Sequence, residues 1–189
     1  MVKDDGLINR GDSMESAINQ GAPAATAIEP SAKAAQYLTF ILGNEQYGVD
    51  ILRVQEIRGW SVVTRLPNSP PYMLGVLNLR GAIVPIVDMR LRFNLEQAEY
   101  TALTVIIVLS VHTGAGRQVF GAVVDGVSDV LDMPPDAIKP APDFGTAVNT
   151  EYISGIATPG GLMVMLLDVD RMFRADELSE IDSAKSAAH

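Results

Sequence analysis

An all-β fold follows from three features of the 189-residue sequence. Short runs rich in Val, Ile, Leu, Phe and Tyr recur, each closed by Gly, Pro, Asn or Asp. No stretch carries the sustained 3.6-residue apolar period of a long amphipathic helix. The part of the chain with strand character also repeats itself at a fixed offset. About ten strands can be placed, enough for two small barrels.

The elements are justified in order along the chain. Residues 1–34 are rich in Gly, Ser, Ala, Asn and charge, hold Pro23 and Pro30, and are expected to form a flexible leader. Strand character begins at Tyr37. Tyr37–Leu42 runs to Gly43-Asn44 and is followed by Glu45–Asp50, the pattern of a hairpin. Ser61–Arg65 is the next expected strand, stopped by the proline-rich loop Leu66–Pro71. Gly75–Leu79 and Ala82–Met89 flank Arg80-Gly81, a second hairpin. Within it Pro85 must lie at an edge or a bulge, because it has no N–H to give a ladder. Thr104–Leu109 is apolar after its first residue, as a strand buried on both faces would be. Its expected partner is Gln118–Val124, across Gly114-Ala115-Gly116. Val127–Leu131, a proline-marked loop over 133–144, Tyr152–Ala157 and Leu162–Leu167 complete the set. Asp168 can cap a short helix carrying Val169, Met172 and Phe173, ahead of an acidic tail at 175–189.

A shift of 80 residues lays Tyr72, Gly75, Gly81, Val84, Asp88 and Phe93 on Tyr152, Gly155, Gly161, Val164, Asp168 and Phe173. A shift of 73 lays Gly48, Val54, Glu56 and Ile57 on Gly121, Val127, Asp129 and Val130. A duplicated unit of about 60–70 residues has the size of an SH3-like five-stranded barrel and is marginal alone. The two units, placed at 36–93 and 101–173, are therefore expected to share apolar surface and fold as one domain over 35–174. A groove between them is the first candidate for binding.

The chemistry is sparse. Lys and Arg total 14 against 23 Asp and Glu, a net charge of −9. That balance opposes binding to nucleic acid or to an anionic membrane face. Zero cysteines exclude disulfides, thiolate catalysis and cysteine-ligated metals. The longest apolar runs, Leu162–Leu167 and Ala82–Val87, fall far short of a membrane span. Met1–Asp12 lacks the apolar core of a signal peptide. A cytoplasmic protein without metal or cofactor is expected.

His112 and His189 are the two histidines and share no ligand-like spacing. Val123-Val124-Asp125-Gly126 is faintly like an aspartic-protease loop but lacks the hydroxyl after the Asp. A carboxylate binding backbone amides at a strand end is the better reading of Asp125. Glu96 and Glu99 read as a solvated face rather than a glycosidase pair, and Asp88 and Asp168 as strand-end caps. No active site follows. Arg80, at a hairpin tip beside Gly81, and Val54 with Glu56, on one face of an extended segment, offer instead an anchor, a counter-charge and aliphatic surface. That combination is equally open to a solvated turn or a protein interface.

Gly75-Val76-Leu77-Asn78-Leu79-Arg80-Gly81 with Val84-Pro85-Ile86-Val87-Asp88 resembles the signature of CheW-type chemotaxis coupling proteins. So do Tyr47–Ile51 leading to Val54-Gln55-Glu56-Ile57, and Val123–Val130. The resemblance spans about residues 36–173. It implies two packed SH3-like barrels, no catalysis and no cofactor. Such adaptors bridge the cytoplasmic tips of methyl-accepting chemoreceptors to the regulatory domain of the histidine kinase CheA, in arrays at the inner membrane face. They bind neither nucleic acid nor the membrane directly. The receptor helical hairpin is expected in the groove between barrels. By resemblance, Val54, Glu56, Asn78, Leu79, Arg80 and Gly81 are receptor-side residues, with Gly75 supporting the turn. Val105, Gly121, Val127 and Val130 are assigned to packing or partner contact.

Overall fold

Runs that alternate in polarity, or are apolar on both faces, form ten strands in a computed structural model, which describes residues 34–95, 99–114, 116–142 and 151–173. The expected acidic tail, and the expected leader apart from Ala34, lie outside these residues, as does Glu96. The strands are β1 (Ala35–Leu42), β2 (Glu45–Asp50), β3 (Val54–Gly59), β4 (Met73–Leu79), β5 (Ala82–Asp88), β6 (Val105–Thr113), β7 (Gly116–Val124), β8 (Gly126–Met133), β9 (Ile153–Ala157) and β10 (Val164–Leu167). Two four-residue helices, α1 (Met89–Arg92) and α2 (Val169–Met172), follow β5 and β10. Each is capped by the Asp before it, Asp88 or Asp168, whose carboxylate accepts backbone N–H bonds from the first turn.

One expected strand is replaced. Ser61–Arg65 forms no ladder, and Thr64 alone exchanges backbone hydrogen bonds with Val76. The strand is instead Val54–Gly59, which pairs along β6. Its mix of Gln, Glu and Arg with Val and Ile suits an edge with one face half-buried. Pro85 lies in β5, which pairs with β7 only from Ile86 onward, so the strand is an edge on that side at the proline.

The strands form two five-stranded sheets, ordered β8-β1-β2-β10-β9 and β3-β6-β7-β5-β4. They do not follow the sequential halves 36–93 and 101–173. The first sheet takes β1 and β2 from the first half and β8, β9 and β10 from the second. The other sheet does the reverse. The repeat explains the pattern. β1 and β2 correspond to β6 and β7, and β3, β4 and β5 correspond to β8, β9 and β10, so the two copies have exchanged their last three strands. Corresponding contacts agree: Asp88 N–H donates to Tyr72 O at 2.8 Å and Asp168 N–H to Tyr152 O at 2.9 Å. Gly121 pairs in parallel with Ile86, as Gly48 does with Leu166. Bridges Thr64–Val76 and Lys139–Ile156 occupy matching places on β4 and β9.

Three apolar clusters hold this arrangement. One sheet curls around Val84, Ile86, Ile106, Val108 and Val123, the other around Met133, Ala157, Val164 and Leu166. The largest cluster draws on both sheets, with Leu38, Phe40 and Val49 meeting Val87, Leu109, Phe120 and Val124 and the helix residues Met172 and Phe173. Strand β6 shows why its run is apolar. Ile107 and Leu109 face this shared layer, and Ile106 and Val108 face the interior of its own barrel. Each such side chain contributes about 1.5–3 kcal/mol of burial.

Gly75 does not sit in the hairpin turn. It lies buried at a bulge in β4 with φ +146°, where a Cβ would come 2.1 Å from Thr64 O. Gly75→Ala is therefore expected to cost about 3 kcal/mol or more, or to prevent folding, which a urea titration followed by circular dichroism measures.

Candidate binding site

Strand β3 is bulged between Val54 and Glu56. Val54 therefore lies with Ile57 on the side of Leu109 and Ile107, packed against the shared apolar layer. Glu56 and Arg58, both half-buried, lie on the side of Val108 and Ile106. Val54 and Glu56 thus do not share the face expected of an unbroken extended segment. Facing Glu56 is the β4–β5 hairpin, joined by the two-residue turn Arg80-Gly81. Both residues have positive φ, 52° and 90°, as the favoured twist-matching hairpin turn requires. The Asn78 side-chain oxygen accepts from Gly81 N–H at 2.8 Å and pins this turn. Leu79 packs on the interior of its barrel. From the tip, Arg80 Nη2 reaches to 3.2 Å from Glu56 Oε2.

Arginine is a poor choice for the first position of such a turn, where Gly, Asn or Asp is preferred. A left-handed conformation costs a residue with a Cβ roughly 1–2 kcal/mol. The ion pair offsets little of this, because Arg80 is 89% exposed and such pairs contribute about 0–1 kcal/mol. Stability therefore does not account for Arg80.

The structure brings Glu56 to Arg80 at the tip that also holds Asn78, Leu79 and Gly81, sets Val54 on the opposite side of β3, and distributes the other candidates differently. Val105 is half-buried at the start of β6, opposite Gly59. Gly121 is buried in β7, where a Cβ would meet Ile86 Cδ1 at 2.5 Å and Ile106 Cγ2 at 2.8 Å, so it acts through packing. Val127 packs half-buried on the shared layer, and Val130, on β8, is exposed. The space between the barrels is filled by the shared layer, so any groove is confined to its surface rim.

Two ionic clusters flank this region and were not legible as such. Arg90, only 1% exposed, lies 3.0 Å from Asp125 Oδ1 in an ion pair without hydrogen-bond alignment. Its Nε and Nη2 donate to Asp88 at 3.4 and 3.3 Å, and it stacks 5.0 Å over the Tyr100 ring. Asp125 Oδ2 accepts from Gly43 N–H at 2.7 Å, tying the β7–β8 connector to the β1–β2 turn. This is the amide-binding carboxylate expected of Asp125. Desolvation pulls the Arg90 pKa down, but the Asp88 hydrogen bond and the charges of Asp88 and Asp125 leave it above its ordinary value.

The second cluster joins three elements. Arg53, in a 3-10 turn at Ile51–Arg53, donates from Nη2 to Asp170 Oδ2 at 2.5 Å and from Nη1 to His112 Nδ1. Asp170 Oδ1 also accepts from His112 N–H at 2.7 Å. No helix among the described residues is long and apolar enough to cross a membrane.

Fold and site define an all-β protein of two packed, SH3-like five-stranded barrels. Residues 36–177 match the CheW-like domain, and the chain belongs to that family. The chemotaxis protein CheW of Klebsiella aerogenes is 47% identical over 152 residues, covering 80% of this chain and 89% of the relative. The CheW of Rhizobium meliloti is 38% identical over 142 residues, covering 75% and 89%. The crystal structure of the scaffolding protein TtCheW from Thermoanaerobacter tengcongensis superposes with a TM-score of 0.69 at 28% identity, covering 76% of this chain and 95% of that one. These relatives make the chain a chemotaxis scaffold of adaptor type.

Two outcomes follow. Arg80→Asn is expected to leave the urea midpoint unchanged or raise it slightly, since Asn tolerates the left-handed turn at less cost. Burial first, then the hydrogen bond to Asp88 and its charge, push the Tyr100 phenol up to about 12. A phenol held protonated by the fold supports stability fully below pH 10. That support is lost as pH rises from about 10 through about 12. Ultraviolet titration should show the late-ionising phenolate disappear in Tyr100→Phe, and the loss of stability over this window should shrink.

Proposed function

We propose that this chain is a non-enzymatic adaptor that couples methyl-accepting chemoreceptors to the histidine kinase CheA in cytoplasmic signalling arrays. The observation that carries the reading is Arg80, held in an unfavourable turn conformation at a hairpin tip and paired, among the described residues, with Glu56 on an edge strand. Strain retained without a stability gain is a mark of function.

A receptor helix laid across the edge of β3 meets two charges of opposite sign beside half-buried Leu79, with Val54 seating the start of the strand on the shared layer. Glu56 and Arg80 can exchange their mutual, solvent-screened pair for contacts with charged side chains on the helix. This fixes orientation more than it adds affinity. Asn78 and Gly81 act by holding the turn. On the other barrel, the exposed Val130 is assigned to a partner contact and Val127 to packing, while Val105 and Gly121 are assigned to packing within the barrel that carries Glu56 and Arg80. Coupling requires that occupancy of one partner site alter the other, typically by about 1–3 kcal/mol.

Arg80→Ala and Glu56→Ala are expected to weaken binding to receptor cytoplasmic tips about tenfold while leaving the melting temperature and binding to the kinase regulatory domain largely intact. Separate pull-downs with each partner measure this, and equal loss toward both overturns the assignment. Co-sedimentation of receptor tips, kinase and adaptor should raise kinase activity only when all three are present.

A further inference from the structure

We propose that Arg53 and Asp170 are positioning residues for the receptor-facing strand, an inference that rests on the reading of Val54 and Glu56 given above. The strand exchange forces two connectors to leave one barrel and enter the other. Arg53 ends the first of them and is followed directly by Val54. Its guanidinium is gripped by Asp170 from α2 and by His112 from β6, so the start of β3 is fixed to two elements distant in sequence. Asp170 is doubly committed, accepting the Arg53 N–H and the His112 backbone N–H. Its own N–H is bound by Asp168 at 3.0 Å, so the anchor is itself held.

The other connector carries a related ion pair with the charges reversed and its partner one position earlier. Under the 73-residue shift Asp125 corresponds to Leu52, and Arg53 to Gly126. Under the 80-residue repeat, Arg90 of α1 corresponds to Asp170 of α2. Arg90 lies against Asp125, which directly precedes Gly126 at the start of β8. In both halves, then, the second residue of the short helix forms an ion pair with the connector that launches the exchanged strand. The polarity and the partner position have changed, and the tie from the short helix to the connector has been kept. Two copies that have diverged in sequence each tie the short helix to the connector by charge, which marks this as a place where the exchanged strand is fixed. Among these groups, Arg53 and Asp170 are the pair adjacent to the receptor-side residues, and both are partly exposed, so they can be altered without emptying a core.

The experiment is a double-mutant cycle in the full-length chain: Arg53→Ala, Asp170→Ala and the double variant, with Arg80→Ala as reference. Affinity is measured for a receptor cytoplasmic-tip fragment and separately for the kinase regulatory domain, at temperatures where circular dichroism shows each variant folded. Asp170→Asn, which keeps the acceptor for His112 N–H, replaces Asp170→Ala should the latter fail to fold. Each single change is expected to weaken receptor affinity about five- to twentyfold, and the double variant no more than the worse single one. Kinase-domain affinity should stay within about twofold, and hydrogen exchange at the β3 amides should quicken. Wild-type receptor affinity in the Arg53 and Asp170 variants, with Arg80→Ala impaired, overturns the positioning role and leaves the receptor-side reading standing. Unimpaired binding by Arg80→Ala overturns that reading itself. Losses that multiply in the double variant overturn the coupling between the two residues.

Discussion

The apolar layer shared by the two sheets is the constraint on which the rest of the molecule depends. Either barrel alone encloses only a handful of fully buried side chains. The layer between them gathers Leu38, Phe40, Leu109, Phe120, Met172 and Phe173, with Phe120 and Phe173 stacked at 4.6 Å. A five-stranded unit of this size is close to the limit of independent stability. Joining two units across one layer removes the limit. Exchanging strands goes further, since neither half of the chain retains a complete sheet.

Duplication leaves the two barrels comparable position by position, and the comparison shows where they have diverged. Ile57 and Val130 correspond and are exposed to similar extents, 44% and 48%, as are Ile83 and Met163 at 51% and 52%. Both barrels thus keep an aliphatic face at the same place. The hairpin tips differ. Arg80-Gly81 corresponds to Gly160-Gly161, and Gly160 adopts φ 60° without a side chain to strain. The barrel with arginine at its tip has gained a charge pair that its twin lacks.

Much of this could be read from the chain, and the unreadable parts share a cause. Hairpins announce themselves by a turn between two adjacent runs, so β1–β2, β4–β5 and β6–β7 were visible from Gly43, Arg80-Gly81 and Gly114–Gly116. The caps at Asp88 and Asp168 were visible for the same local reason. Pairings between distant segments leave no such mark. Nothing in Val54–Gly59 says that its partner is β6, or that Ser61–Arg65 reaches β4 through Thr64 alone. Val54, Glu56 and Arg80 stood out as aliphatic surface, counter-charge and anchor, and resemblance added Asn78, Leu79 and Gly81, but the meeting of Glu56 with Arg80 is a property of barrel closure. Arg90 with Asp125, and Arg53 with Asp170, lie still further apart in sequence, and charge spacing gives no hint of them.

The exchanged arrangement has a consequence for synthesis. The β1–β2 hairpin is complete by Asp50, yet its neighbours β8 and β10 begin only at Gly126 and Val164. Thr39 hydrogen-bonds to Asp129 across 90 positions. At roughly 5–20 residues per second on the ribosome, the hairpin waits on the order of 4–15 seconds with both edges open. Throughout that interval the emerging chain holds an unpaired two-stranded ribbon with one oily face. The edges left open while the chain is being made, rather than any weakness of the finished molecule, are where this architecture invites wrong pairing.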